Sequence, residues 1–277
     1  MNRKITFLFC LMALVGTLKL SAQPSQTDTL NVNYYDNFPY AYMENGVLKG
    51  IEVDIIKKYV EWLKLQKDIV AVVNYKGYKE FSEFYNAVKK GGPRTIGLGS
   101  VTITEDRIKE VAFSPAYLRN IAVLITSGSV PSIKNPTAEE VGKVFGSMNA
   151  LAVNESSHLK YMNTIKSSYL PSMQINGTET QNAILDKIAA DGKSYGYIDI
   201  VAFWAYIKKN KKTYLKIQKA FNQPYEDLGF VLPFGASHFS SLNEFFENGF
   251  GFTSTKAYHE ILQKYLGYEV LETLELK

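Results

Sequence analysis

The chain is 277 residues long with ordinary hydrophobic content, and 31 Lys and Arg stand against 27 Asp and Glu. Three of the basic residues, Arg3, Lys4 and Lys19, lie within residues 1–22, which hold no acid, so the remainder is near neutral at 28 against 27. Such a balance leaves no electrostatic footprint for nucleic acid, and with Cys10 as the one cysteine, everything beyond residue 22 lacks a disulfide framework, thiolate chemistry and Cys-containing metal sites.

Asn2-Arg3-Lys4 is a basic head before an apolar run from Ile5 to Val15, and Leu20-Ser21-Ala22 offers small residues for cleavage. This is the pattern of a secretory signal peptide over residues 1–22, cleaved near Ala22 and too short to span a bilayer. Leu8-Phe9 ahead of Cys10 does not match a lipoprotein site. Roughly 255 residues follow, enough for one large domain or two small ones. No later apolar run approaches membrane-spanning length, and no repeat is present.

Thr29 to Tyr35 alternates and predicts a strand, broken by a loop at Asp36-Asn37-Phe38-Pro39-Tyr40. Val53, Ile56, Tyr59, Val60 and Leu63 recur at helical spacing and predict a helix over 52–65. Ile69 to Val73 predicts a second strand. Phe81, Phe84, Tyr85 and Val88 predict a helix stopped by Gly91-Gly92-Pro93. Thr95 to Leu98 predicts a short strand leading into a hydroxyl-rich loop at 99–107. Asn120 to Thr126 is an apolar strand, and the composition of Ser127-Gly128-Ser129-Val130-Pro131 suggests a crossing. A second alternating unit follows: a strand at Leu151–Val153, a helix near 157–167 capped from Asn154-Glu155-Ser156-Ser157, a helix over Thr180–Ala190, and a strand from Tyr195 that delivers Asp199. Leu228 to Phe234 is a further strand before two terminal helices. Alternating strands and helices imply an α/β fold with parallel sheets flanked by helices, whose ligands sit beyond strand carboxyl ends.

Ser100 to Tyr117 is the most informative segment. Hydroxyls on Ser100, Thr102 and Thr104 precede Arg107, and short hydroxyl donors beside a guanidinium fork suit a carboxylate in a partly dry site. Alone, such an arginine reads equally as a surface ion-pair residue. The three histidines, His158, His238 and His259, show neither metal-ligand spacing nor an obvious partner. Gly97-Leu98-Gly99 lacks the third glycine of a phosphate loop, and no Gly-x-Ser-x-Gly elbow exists. The basic cluster Lys208-Lys209-Asn210-Lys211-Lys212 reads as a solvated helix end.

Four pieces, in order, carry a resemblance to the bacterial extracellular solute-binding proteins of family 3, the polar amino-acid binders of ABC transporters. They are Asn37-Phe38-Pro39-Tyr40, Gly50-Ile51-Glu52-Val53-Asp54, the segment from Ser100 through Arg107 and Phe113-Ser114 to Tyr117, and Gly192 to Asp199 followed by Leu228-Gly229-Phe230-Val231. The resemblance implies a two-lobed periplasmic-binding-protein fold of type II, each lobe a mostly parallel sheet with helices, joined by a two-strand hinge. Lobe 1 would be discontinuous, residues 23–120 plus 228–277, with lobe 2 at 121–227. It further implies a periplasmic monomer without cofactor or metal, which captures an amino acid or related small carboxylate and hands it to a membrane permease.

The resemblance implies roles as well. Arg107 binds the ligand carboxylate, assisted by Thr102 and the backbone near Ser100. Ser157, at a helix N-terminus beside Ser156, donates a backbone N–H to the same group. Asp199 accepts the α-ammonium, although as a local motif it reads equally as a helix cap. Phe81 keeps one ring of an aromatic sandwich, Tyr78 is a nearby substitute for the other, and Asn37 stands where the second ring is usual. Glu155 replaces a family glycine beside the anion site. The family thus predicts the carboxylate contact more firmly than the ammonium contact. Two other classes share the fold. In a cyclohexadienyl dehydratase-like enzyme Glu155 would serve as general acid; a sensor would present its closed form to a membrane receptor.

Overall fold

Alternation in the first strand, β1 (Gln26–Tyr35), buries Leu30, Val32 and Tyr34 while Asn31 stays in solvent. Each fully buried aliphatic side chain of this kind contributes about 1.5–3 kcal/mol. The computed structural model describes residues 26–211, 213–247 and 249–267. The signal peptide expected over residues 1–22, with Cys10, lies outside these residues.

A small hairpin, β2 (Tyr42–Glu44) and β3 (Val47–Lys49), leads to helix α1 (Ile51–Lys67), β4 (Ile69–Tyr78) and α2 (Phe81–Lys89). Strand β5 (Thr95–Thr102), the short β6 (Ala112–Phe113) and β7 (Leu118–Ser127) follow. Then come α3 (Ala138–Phe145), β8 (Asn149–Val153), α4 (Ser157–Tyr169), β9 (Ile175–Thr178), α5 (Gln181–Asp191), β10 (Ser194–Asp199) and α6 (Ile200–Lys209). β11 (Leu215–Ile217), β12 (Tyr225–Leu232), α7 (Phe239–Phe246) and α8 (Lys256–Leu266) close the described chain.

The strand order is β4-β1-β5-β12-β7-β10-β8-β9. β1 is parallel to β4 and β5, and β12 returns antiparallel along β5. In the second lobe β8 lies parallel to both β10 and β9. β7 belongs to both lobes: Leu118–Ile121 pair with β12, and Ala122–Thr126 pair with β10. The change of sheet therefore falls inside an apolar strand, not in the Ser127–Pro131 segment whose composition suggested it. Backbone pairing continues through the change, so no turn residues mark it.

β5 also runs further than its sequence pattern predicts, so Ser100 and Thr102 are strand residues. Pairing with a distant partner extends it: Val101 faces Gly229 and Thr102 faces Leu228. Gly99 is required there, because a Cβ would sit 2.6 Å from the Phe84 ring of α2. β4 likewise reaches Tyr78 through its full-length pairing with β1.

The two parallel arrangements bring their carboxyl ends together. Tyr35 ends β1, Thr102 ends β5, Val153 ends β8 and Asp199 ends β10. All four line one cavity between the lobes.

Candidate functional site: a cleft between two lobes

That cavity is partly open to solvent and, with its mouth included, spans about 370 Å³ of empty space. Besides the four strand ends, it is lined by Asn37, Phe81, Gly99, Ser100, Arg107, Ser156, Ser157, His158 and Gln181.

Arg107 begins a short 3₁₀ turn. Its backbone N–H donates to Thr104 Oγ1 at 3.3 Å, and its Nη1 donates to the Thr102 carbonyl at 3.0 Å. The guanidinium carbon stands 5.4 Å from the Phe81 ring and 5.9 Å from the Tyr85 ring. Burial lowers its pKa, opposed by the nearby Tyr85 and Glu226. Among the described residues no carboxylate lies within 4.0 Å of it, so the fork is held by one carbonyl and two rings, with donors to spare.

Ser100 adopts φ 48°, a left-handed conformation unusual for serine. Its N–H donates to Glu52 Oε1 at 3.1 Å, and its Oγ accepts from Asn37 Nδ2 at 3.2 Å. Glu52 is fully buried beneath this strand and also accepts from the Tyr117 hydroxyl at 2.6 Å. Burial pushes its pKa up to about 7 despite those hydrogen bonds. Asn37 is buried, and its Oδ1 has no partner.

On the facing lobe, Ser156 caps α4: its Oγ accepts from the Leu159 N–H at 3.3 Å and donates to the Val153 carbonyl at 2.6 Å. Ser157 is the first residue of that helix, so the helix N-terminus opens on the cavity. Asp199 is 3% exposed. Its Oδ1 accepts from Asn120 Nδ2 at 2.7 Å and lies 3.2 Å from His158 Nε2. Its Oδ2 accepts from Gln181 Nε2 at 2.6 Å, while its own N–H donates to Gln181 Oε1 at 2.7 Å. Burial alone would raise its pKa; the His158 ring and the hydrogen bonds outweigh that and lower it. Asp199 does stand at the N-cap position of α6, as its local reading suggested, but its carboxylate makes no cap hydrogen bond there.

Of the residues singled out in the sequence, Arg107, Thr102, Ser100, Asp199, Ser157, Ser156, Asn37 and Phe81 meet in this cavity. Tyr78 and Glu155 do not line it. Tyr78 closes β4 at the sheet edge beside Lys76, and Tyr35 takes the place beside Phe81, with ring centroids 5.7 Å apart. Glu155 is exposed at φ 55°, ahead of the helix. Tyr35, Gln181 and His158 were not selected from the sequence. His158 does have a partner after all, Asp199, 41 positions away in sequence. His238 also has one, Tyr59, with Oη 3.1 Å from Nδ1. Neither pairing follows any local spacing.

The family of bacterial extracellular solute-binding proteins, family 3, matches residues 30–230. The chain belongs to that family. This solute-binding protein is 29% identical over 160 residues to the ABC transporter glutamine-binding protein GlnH of Bacillus subtilis (strain 168), covering 54% of this chain. It spans little more than half of that relative, 56%. Among solved structures it resembles an ancestral arginine-binding protein bound to arginine, with TM-score 0.69 and 20% identity over 86% of this chain and 98% of that one. It also resembles the arginine-, lysine-, histidine-binding protein ArtJ of Geobacillus stearothermophilus, with TM-score 0.68 and 18% identity over 90% and 100%. A third is the ancestral amino acid-binding protein AncCDT-1, a precursor of cyclohexadienyl dehydratase, with TM-score 0.67 and 18% identity over 86% and 95%. These three likenesses establish the two-lobed type II periplasmic-binding-protein fold of this solute-binding protein.

Proposed function

We propose that this solute-binding protein captures an amino acid or related small carboxylate by closing its lobes, and delivers it to the permease of an ABC importer. The carrying observation is Arg107, a cavity-lining guanidinium with no carboxylate partner among the described residues. A bidentate ligand carboxylate satisfies that fork, and the α4 N-terminus on the facing lobe favours the same negative charge. A ligand that touches both lobes stabilises the closed arrangement by contacts it makes only there. Import is supported by the curated relative, which is named as a transporter's binding protein.

The protein acts as a monomer, exported by its N-terminal segment, and binds without turnover. Glu155, the residue on which a dehydratase-like mechanism rested, is absent from the cavity lining. The test is Arg107→Ala, with calorimetry against a panel of amino acids and small carboxylates. Losing a desolvated charge-assisted pair costs about 2–5 kcal/mol, so affinity should fall at least ~30-fold while circular dichroism stays unchanged. Unaltered affinity for every bound compound rejects the site.

A further inference from the structure

We propose that Tyr35 sets the length of ligand this solute-binding protein accepts: its ring closes the inner cavity against a second, outer pocket and so favours carboxylates with short side chains. The inference rests on the carboxylate-binding reading of Arg107 and adds a residue that determines specificity.

Tyr35 is the last residue of β1, where the strand ends at the cleft, and only 2% of it is exposed. Three contacts hold its side chain. The ring meets Phe81 edge-to-face at 5.7 Å and stacks with Phe84 at 6.3 Å, and the hydroxyl donates to the Glu179 carbonyl of the facing lobe. Around that contact each chain segment alternates between two spaces. Tyr35 and Asn37 line the inner cavity, whereas Asp36 and Phe38 line an outer pocket. Across the cleft Gln181 lines the inner cavity, whereas Glu179, Thr180 and Asn182 line the outer one. Tyr35 and Glu179 therefore join the two leaves of one partition. Each leaf is anchored in its own lobe: Asn37 Nδ2 donates to Ser100 Oγ at 3.2 Å, and Gln181 Nε2 donates to Asp199 Oδ2 at 2.6 Å. With mouths included, the outer pocket spans about 770 Å³ against about 370 Å³ for the inner cavity.

Phe81 links this partition to the carboxylate site. The Arg107 guanidinium carbon stands 5.4 Å from the Phe81 ring, and Tyr35 packs against the same ring. A ligand whose carboxylate sits on Arg107 and whose carbon chain packs on Phe81 points its far end at Tyr35. A short side chain stops before the ring. A longer one reaches the outer pocket only by turning the ring out, which breaks both aromatic contacts and the hydrogen bond to Glu179. That cost falls on long ligands alone. The outer pocket is lined by Asp36 and Glu179 as well as by Lys79 and Lys209, so charges of both signs stand there and the selection is by length. The ring supplies the block and the hydroxyl only the staple, and substitution separates the two.

The experiment is calorimetry on the purified protein with a chain-length series: L-alanine, L-2-aminobutyrate, L-norvaline, L-norleucine, L-lysine and L-arginine, together with lactate and 2-hydroxyhexanoate. Alanine, 2-aminobutyrate or lactate should bind wild type most tightly, and the long-chain members of the same class about 10-fold or more weakly. In Tyr35→Ala that ratio should move at least ~10-fold toward the long ligands. In Tyr35→Phe, which keeps the ring, all affinities should fall together and the ratio should stay near its wild-type value. Where circular dichroism shows that Tyr35→Ala does not fold, Tyr35→Val, which keeps a branched apolar side chain beside Phe84, replaces it with the same expected shift. Long ligands binding wild type as tightly as short ones, with binding lost in Arg107→Ala, would overturn this inference and leave the carboxylate-binding reading standing. A ratio unmoved in a folded Tyr35→Ala or Tyr35→Val would also overturn it. Absence of binding by every compound below about 1 mM would overturn the carboxylate-binding reading, and the present inference with it.

Discussion

At the scale of single residues, the cavity depends on a group that does not line it. Glu52 lies under Ser100, holding its backbone N–H, and takes a second hydrogen bond from Tyr117 while Oε2 has no partner. Removing a carboxylate from water favours the neutral form, so its pKa rises to about 7. In the unfolded chain it sits near 4.3. Between those values the folded state binds more protons than the unfolded one, so this residue's contribution to stability falls as pH rises from about 4.3 to 7. The whole span corresponds to roughly 4 kcal/mol, of which about 3 kcal/mol falls between pH 5 and pH 8. Glu52→Gln keeps the acceptor for Ser100 and Tyr117 and removes the charge. Its stability relative to wild type should therefore improve between pH 5 and pH 8, by up to about 3 kcal/mol. Urea unfolding at the two pH values measures this, and a difference independent of pH would refute it. Arg107 stood out in the sequence because the segment around it, with hydroxyls on Ser100, Thr102 and Thr104, resembles the family motif; without that resemblance it reads as a surface ion-pair residue. His158 and Gln181 did not stand out, because their common partner, Asp199, is joined to them only by the folding of β10 against α4 and α5.

At the scale of elements, the approach to α4 carries strain the site does not use. Glu155 holds φ 55°, where a Cβ clashes with the backbone, and it is exposed and outside the cavity lining. Its resemblance-based position as a family glycine is explained by that dihedral angle, and its carboxylate has no part in the cavity. Glu155→Gly should stabilise the protein by about 0.5–1 kcal/mol, or about 2 °C in Tm for a chain of this size, with an unchanged ligand profile. Differential scanning calorimetry decides it; a lower Tm, or an altered profile, would contradict this account. Helices were legible to within a residue or two where an apolar stripe was long, as in α1 and α2. β5 and β4 were underestimated because their outer halves are fixed by strands distant in sequence, and Gly99 looks like a loop residue until Phe84 is seen beneath it. α3 offers only Val141 and Phe145 to the core, too few turns to establish a period.

At the scale of the whole molecule, the structure is a closed arrangement stapled across the cleft. The Tyr35 hydroxyl of one lobe donates to the Glu179 carbonyl of the other. Lys209 of α6 reaches Glu44 at 3.2 Å and stands 5.0 Å from the Phe38 ring, so part of the basic cluster read as a solvated helix end bridges the lobes instead. Lys160 meets Asp106 at 3.4 Å. The two lysine pairs are exposed, so they contribute little to closure, and less at high salt. The Tyr35 bond is more sheltered and sits at the cavity itself, worth about 0.5–1.5 kcal/mol. That makes it the contact by which closure and ligand affinity are coupled, since a ligand's apparent affinity scales with the population of the closed form. Tyr35→Phe keeps the ring against Phe81 and removes only the staple. Its apparent affinity should drop about 2–10-fold, and its ligand-free radius of gyration by X-ray scattering should exceed that of the wild type. The ligand-saturated curves of the two proteins should superimpose. Equal affinities and equal ligand-free scattering would mean that closure is set by the ligand and the β7–β12 hinge alone.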